Sequence, residues 1–348
     1  MLLNQRRIEK QHIIRRKKKY SGDAKRDYLP SSRLTRPEPS RKLRTKNPLS
    51  KKIITIPRVF SLAENSDETL LFFSDLRDAV FKKRVSEILI DHSAIGIIDP
   101  PAALMLISET MRIRVCAPRC VLSCKLAEDS LVAELLEKLD YWKMYGYRRN
   151  HNSELNEQLV MKATNNFTLP EVVKNIIVDF SDCCTFSVPQ KKMLFKGIVE
   201  CMDNVMSHAY PSKFKRMWLK QQWWLIAYKN RTERKISICF YDHGLGIPGT
   251  IRTRLRDNLI LLKRSDEDII KEAVMSGCYS RTKLETRGRG LPKLYDIIDG
   301  TEFSGELSLF TGNSHCRFNE YQEFFPQRLT NGIHGTLITW NLFPKNEH

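Results

Sequence analysis

Residues 191–210 spell a helix with two unlike faces. Glu200, Asn204 and His208 recur at four-residue intervals, and Ile198, Met202, Val205 and Ala209 alternate with them. Residues four apart on a helix lie nearly above one another, so the first set is a polar stripe and the second an apolar one. Pro211 stops the helix. Such a helix has to lay its apolar stripe on a neighbouring layer while it presents an acid, an amide and an imidazole to a site. The layer is legible downstream. Residues 223–228 and 235–241 are β-rich and are separated by a polar turn, which predicts a hairpin, and Ile236, Ile238 and Phe240 alternate along its second strand.

The rest of the chain divides by charge. Residues 1–52 hold 18 Lys and Arg against 4 Asp and Glu, while the remaining 296 residues hold 40 against 36. The first stretch carries Arg15, Arg16, Lys17, Lys18 and Lys19 and four prolines. It has too little apolar surface to offset its ordering entropy, and reads as a mostly disordered basic arm able to attract nucleic acid or another polyanion. Residues 53–147 alternate strand and helix signals: strands at 53–57 and 87–90, a helix at 69–81, a helix at 101–111 with proline in its first turn, a strand-like run at 115–126 and a helix at 130–141. That order is a small α/β domain. Residues 148–168, rich in Asn, Ser and Gln, read as a linker.

Residues 169–343 form the second folded unit, with a helix at 169–178, a short strand near 176–180, a polar helical stretch at 251–275 and last strands that include residues 335–340. The nine cysteines contain no Cys-x-x-Cys pair, which reads as free thiols in a reducing cytoplasm. No apolar run reaches the ~18 residues that a membrane span needs.

The chemistry gathers on the polar stripe and on the glycines that follow it. Asp242 ends a strand, where its carboxylate is an acceptor for an exocyclic amino group such as that of adenine. Gly244 and Gly246 let backbone approach a ligand closely. Gly288, Arg289 and Gly290 precede another helix, a setting suited to phosphate. Asn204 offers a neutral oxygen to magnesium, which binds through few protein ligands plus phosphate. Glu200, one turn away, is placed to polarise a water or an acceptor hydroxyl.

In this order the residues resemble the GHKL family of gyrase-type ATPases, histidine kinases and mismatch-repair ATPases, over about residues 169–343. Glu200, Asn204, His208 and Ala209 match its asparagine box. Asp242, Gly244 and Gly246 match the first glycine box, Gly288, Gly290 and Leu291 the second, and Gly335 and Thr336 the final box. The resemblance implies an α/β two-layer sandwich with a left-handed βαβ unit, the Bergerat fold, that binds ATP and Mg2+. Glu200 would be the catalytic residue and Asn204 the metal ligand. Asn204, His208, Asp242, Gly244, Gly246, Gly288, Gly290, Leu291 and Thr336 would hold the cofactor. Residues 250–287 would be a lid whose closure gates chemistry, with one of Arg281, Lys283, Arg287 and Arg289 as a charge clamp on the terminal phosphate. His208, Ala209, Tyr210 and Pro211 are most similar to the anti-sigma-factor serine kinases, and His208 reads as a helix-end group contacting the lid rather than as a base.

Residues 53–145 resemble a STAS domain, the partner module of those kinases. The resemblance rests on residues 88–95 and on Ile97, Ile98, Asp99, Pro100 and Pro101. Where regulatory members carry a phosphorylatable serine after the position of Asp99, this chain has prolines, which have no hydroxyl. Ser93 reads as a structural strand-end group. These features predict a Mg-ATP-dependent conformational switch or slow ATPase that regulates a protein partner through the STAS-like domain. The competing readings are a serine/threonine protein kinase acting on a separate STAS-type protein and a non-enzymatic scaffold. Retention of Glu200 and Asn204 argues against the scaffold. No dimerisation helix pair ahead of residue 169 suggests a histidine kinase, and nothing past the strand of Gly335 and Thr336 supplies the second domain, with its lysine, of gyrase-type ATPases.

Overall fold

A computed structural model describes residues 50–147, 159–165, 167–180, 184–210, 222–230, 233–254, 263–277, 290–299 and 301–345. The basic arm apart from residues 50–52, most of the 148–168 stretch, Cys183, Arg281, Lys283, Arg287, Gly288 and Arg289 lie outside the described residues. The chain from Leu49 onward is one compact unit.

The first part of this unit runs β1 (Lys51–Thr55), β2 (Val59–Phe60), α1 (Ser66–Arg77) with a π-turn over Asp78–Lys82, β3 (Glu87–Asp91), β4 (Ile97–Ile98), α2 (Pro100–Cys116), β5 (Val121–Lys125) and α3 (Ser130–Lys138). β1, β3 and β5 form a parallel sheet with β3 in the middle, and β2 and β4 pair in parallel beside it. Asp99 caps α2 by accepting from Ala102 N–H, and the same carboxylate takes Ser61 Oγ–H and the N–H groups of Leu62 and Ala63. Pro100 begins the helix, where a missing N–H costs nothing. Asp99 therefore fastens the β2–α1 loop to α2. Ser93 is structural as expected, its hydroxyl donating to Asp91 at 2.6 Å. The strand-like run at 115–126 proves to be the last turn of α2 followed by a short β5.

The second part continues with β6 (Leu159–Asn165), α4 (Pro170–Asp179), α5 (Val188–Asn204), β7 (Trp223–Asn230), β8 (Lys235–Asp242), α6 (Ile247–Arg254), α7 (Asp266–Met275), α8 (Pro292–Asp296), β9 (Phe303–Asn319) and β10 (Phe324–Pro344). Its sheet is antiparallel throughout, in the order β6-β7-β8-β10-β9. β8 and β9 both oppose β10, so they run parallel to each other and are joined through α6 to α8. Two sequence expectations fail here. Residues 159–165 are an edge strand rather than linker. Residues 176–180 are the end of α4 rather than a strand, because Val173, Ile176 and Phe180 recur at helical spacing on one buried face.

The antiparallel sheet is covered on both sides. Trp223, Leu225, Ala227, Ile236, Ile238 and Phe240 join one core with residues of α4, α5, α7 and α8. The alternate residues Trp224, Ile226, Cys239, Tyr241, Phe310 and Leu337 join a second core with α1, α2 and the parallel sheet. Strands buried on both faces need apolar side chains at both parities. That is why residues 223–228 and 236–241 run nearly without interruption as apolar segments, and why Ser237 and Cys239 are buried rather than wetted.

Candidate functional site

α5 starts with a complete capping box. Ser187 Oγ accepts from Gln190 N–H at 3.1 Å, and the Gln190 side chain accepts from Ser187 N–H at 2.8 Å. With the start fixed, Leu194, Ile198, Cys201, Met202 and Val205 face the sheet and are buried, while Glu200 and Asn204 lie on the partly open side. After Asn204 the helix widens into a π-turn over Val205–Ala209, so His208 is exposed at the rim instead of continuing the stripe in register.

β8 brings Asp242 to the end of this helix. Asp242 pairs with Trp223 on one side and with Thr336 on the other. The loop that follows is tied to the end of α5 by two hydrogen bonds: His243 N–H donates to Tyr210 Oη at 2.9 Å, and Leu245 N–H donates to the Ala209 carbonyl at 3.0 Å. Gly244 sits in this junction, where a Cβ would lie 2.6 Å from both the Cβ and the carbonyl oxygen of Ala209. No other residue fits without opening the loop from the helix.

The result is a cavity of ≈ 90 Å3 lined by Asn204, His208, Asp242, Gly246, Leu291 and Thr336, together with Cys201, Val205, Ala209, Phe240, Ile247, Thr250, Ile251 and Ile338. Six candidate residues from four separate stretches of sequence thus share one wall-to-wall space. Of the apolar lining, Val205, Ala209 and Phe240 were read as packing positions of the helix and the strand, and Ile338 was not singled out, although it stands two residues from Thr336 on the same strand face. Asp242 is buried, and burial raises its carboxyl to about 7, against the opposing pull of the Gly244 N–H at 2.6 Å. Among the described residues this N–H is the one hydrogen bond that its carboxylate takes. A buried acceptor so thinly supplied, at the floor of a cavity, suits a ligand that brings its own donors.

Glu200 does not line the cavity. It turns toward α8, where Lys293 Nζ donates to its Oε2 at 2.7 Å. Gly290 lies against the same carboxylate: a Cβ there would fall 2.0 Å from Glu200 Oε1. The second glycine motif is thus glycine at this position because the acid of the helix occupies the space of a side chain. Gly288 lies outside the described residues. Among the described residues no cluster of three or more His, Cys, Asp or Glu could hold a metal, so an ion here would depend on the Asn204 amide and on oxygens of its ligand.

One feature of the opposite sheet face was invisible in the sequence. His243, next to Asp242, points the other way and is buried between Trp224 and Tyr241, with ring centroids 4.7 and 4.9 Å away. Burial lowers its pKa well below the ordinary value, so the ring is neutral, and its Nε2 lies 4.0 Å from Glu109 Oε1 on α2. Glu109 is fully buried and pairs with Arg77 at 3.3 Å and with Arg112 at 2.7 Å. Burial alone would raise its carboxyl, but the surrounding positive charge, the Arg112 guanidinium above all, holds it well below the ordinary value. Arg77 also donates to the Gly332 carbonyl at 2.9 Å. A charged cluster on α1 and α2 therefore backs the end of the strand that carries Asp242.

No protein-family model matches this chain, and no curated protein sequence matches it. Among the described residues no helix is long and apolar enough to cross a membrane.

Proposed function

We propose that the chain binds ATP with Mg2+ in this cavity and acts as a nucleotide-dependent switch, or slow ATPase, that regulates a protein partner. The observation that carries the reading is Asp242, a buried and thinly hydrogen-bonded acceptor on the floor of a cavity that Asn204, Gly246, Leu291 and Thr336 also line. Asp242 would accept the exocyclic amino group of adenine, with Phe240, Ile251 and Ile338 giving the ring an apolar setting. Asn204 would supply a neutral oxygen to magnesium, whose chemistry is to neutralise phosphate charge. Glu200, within one helical turn, would orient the attacking water. In this reading the helical layer on the antiparallel sheet, with β8 and β9 joined across β10, is a Bergerat-type domain, and the parallel-sheet part is STAS-like.

The alternative is a serine/threonine kinase acting on a separate STAS-type protein; transfer to the chain's own STAS-like part is disfavoured by the position of that part. α1 and α2 pack on the sheet face opposite the cavity, and the residue after Asp99 is Pro100. Calorimetric titration of the full chain with ATP and Mg2+ tests the reading. Saturable binding is expected, and Asp242→Asn should abolish it; unchanged affinity in that variant would sink the adenine assignment. Labelled ATP then separates the reactions, since free phosphate marks an ATPase and a labelled protein marks a kinase.

A further inference from the structure

The acid of the polar stripe is already engaged, and its partner is a lysine held on a fixed element. Lys293 stands one residue after Pro292, which begins α8. Its neighbours Leu294 and Tyr295 are buried. α8 is pinned by Trp340 Nε1–H donating to the Leu294 carbonyl at 2.9 Å and by Tyr295 Oη–H donating to the Asn319 carbonyl at 2.9 Å. Lys293 N–H also closes on the Gly290 carbonyl at 3.1 Å. The backbone that carries the ammonium is therefore set before any ligand arrives, and the ammonium, on a side chain 41% exposed, reaches Oε2 of the more buried Glu200, 17% exposed, at 2.7 Å.

The corner where the two side chains meet has a further property. It joins the Glu200 and Asn204 side of α5 to the glycine motif, away from Asp242 at the cavity floor. A ligand whose donor end meets Asp242 and whose anionic end lies along Asn204 would bring negative charge next to Glu200. A carboxylate alone there would repel it. A lysine has three donors and can bridge two anionic groups at once.

Resting on the ATP reading, we propose that Lys293 is a specificity-determining residue. It keeps its hold on Glu200 and adds a contact to the terminal phosphate, so that the site distinguishes a nucleoside triphosphate from a diphosphate. The preference would come from one charge-assisted hydrogen bond present with the longer ligand and absent with the shorter.

The test is calorimetric titration of the full-length protein and its variants with ATP, ADP and adenosine, each with Mg2+. Lys293→Met should weaken ATP by at least about tenfold, the worth of one such hydrogen bond, and leave ADP and adenosine within about twofold. Lys293→Arg should recover most of the ATP preference. Glu200→Gln, which removes the repelling charge and frees the lysine, should tighten ATP relative to ADP. An ATP-to-ADP ratio unchanged in Lys293→Met, or equal losses for all three ligands, would overturn the role of Lys293 while leaving nucleotide binding intact. A weaker ATP preference in Glu200→Gln would overturn it as well. Failure of the wild-type chain to bind any of the three would instead remove the reading beneath it.

Discussion

Asp242 and Glu109 are two buried carboxylates with opposite consequences. Burial raises Asp242 from its ordinary 3.8 to about 7. A folded-state value above the unfolded one means that the native state is penalised as pH climbs from about 4 to about 7, and that the penalty stays constant above that window. Asp242→Asn should then stabilise the ligand-free protein at pH 8 by an amount on the order of 2–4 kcal/mol, and by much less at pH 4, while it removes nucleotide binding. Urea denaturation at the two pH values checks this; equal effects at both would show that the carboxylate is not strained. Glu109 has the reverse sign. Its value of about 2 lies below the ordinary 4.5, so its stabilisation is present above pH 4.5 and is lost as pH falls through about 2. Glu109→Gln leaves Arg77 and Arg112 facing each other in a dry interface and should cost about 3–5 kcal/mol, whereas replacing all three by apolar residues should recover much of the loss. Chemical denaturation of the single and triple variants decides it. The place of Asp242 was legible, because the alternation of Ile236, Ile238 and Phe240 marks a strand and the two glycines mark its end. Glu109 and Arg112 were not, because charges three apart on a helix look like a solvated face, and their neighbours Arg77 and His243 are 32 and 134 positions from Glu109 in the chain.

At the scale of elements, the sequence was most readable where periodicity and punctuation agreed. The helix with its acid and amide, the hairpin of β7 and β8 and the proline-led α2 all follow from such agreement, although α5 starts at Val188, three residues before the expected start, behind a Ser187 cap that was not read. It was least readable where one face had a hidden partner. β8 was read from Ile236, Ile238 and Phe240, yet Cys239 and Tyr241 are equally buried, against α1 and α2. β6 was hidden by its surroundings, since the Asn-, Ser- and Gln-rich stretch around it read as linker. The interleaved positions carry a prediction. Trp224 packs against Tyr241 and His243, and its Nε1–H donates to Met111 Sδ of α2 at 3.3 Å. Trp224→Ala should cost about 3–5 kcal/mol through the cavity that it leaves. It should also raise amide exchange in α2, across the sheet from the cavity. A loss of stability confined to residues 169–343, with α2 exchange unchanged, would show that the two layers do not depend on each other.

The unit from Leu49 onward is then built on its antiparallel sheet, one face of which carries the candidate site while the other is covered by the parallel-sheet part. Reading residues 53–147 as a partner module suggests a piece that could be detached. The packing makes it a structural layer as well, since Trp224, Ile226, Tyr241, Phe310 and Leu337 all lie in the core that it shares with the sheet. Taking it away would expose a contiguous apolar face, the kind of surface that soluble monomers rarely leave uncovered. A fragment spanning residues 159–348 should therefore aggregate or bind a hydrophobic dye strongly, and should regain solubility when residues 49–147 are supplied as a separate chain. The rescued complex should bind ATP as the intact chain does, because every residue lining the cavity belongs to the larger fragment. A fragment that is monomeric, dye-silent and as stable as the full protein would show that the back layer is an accessory. If the fragment aggregates as expected, anything that moves α1 and α2 also moves the strand that ends in Asp242, and the cluster of Arg77, Glu109 and Arg112 behind His243 becomes the place where a bound partner and a bound nucleotide would feel each other.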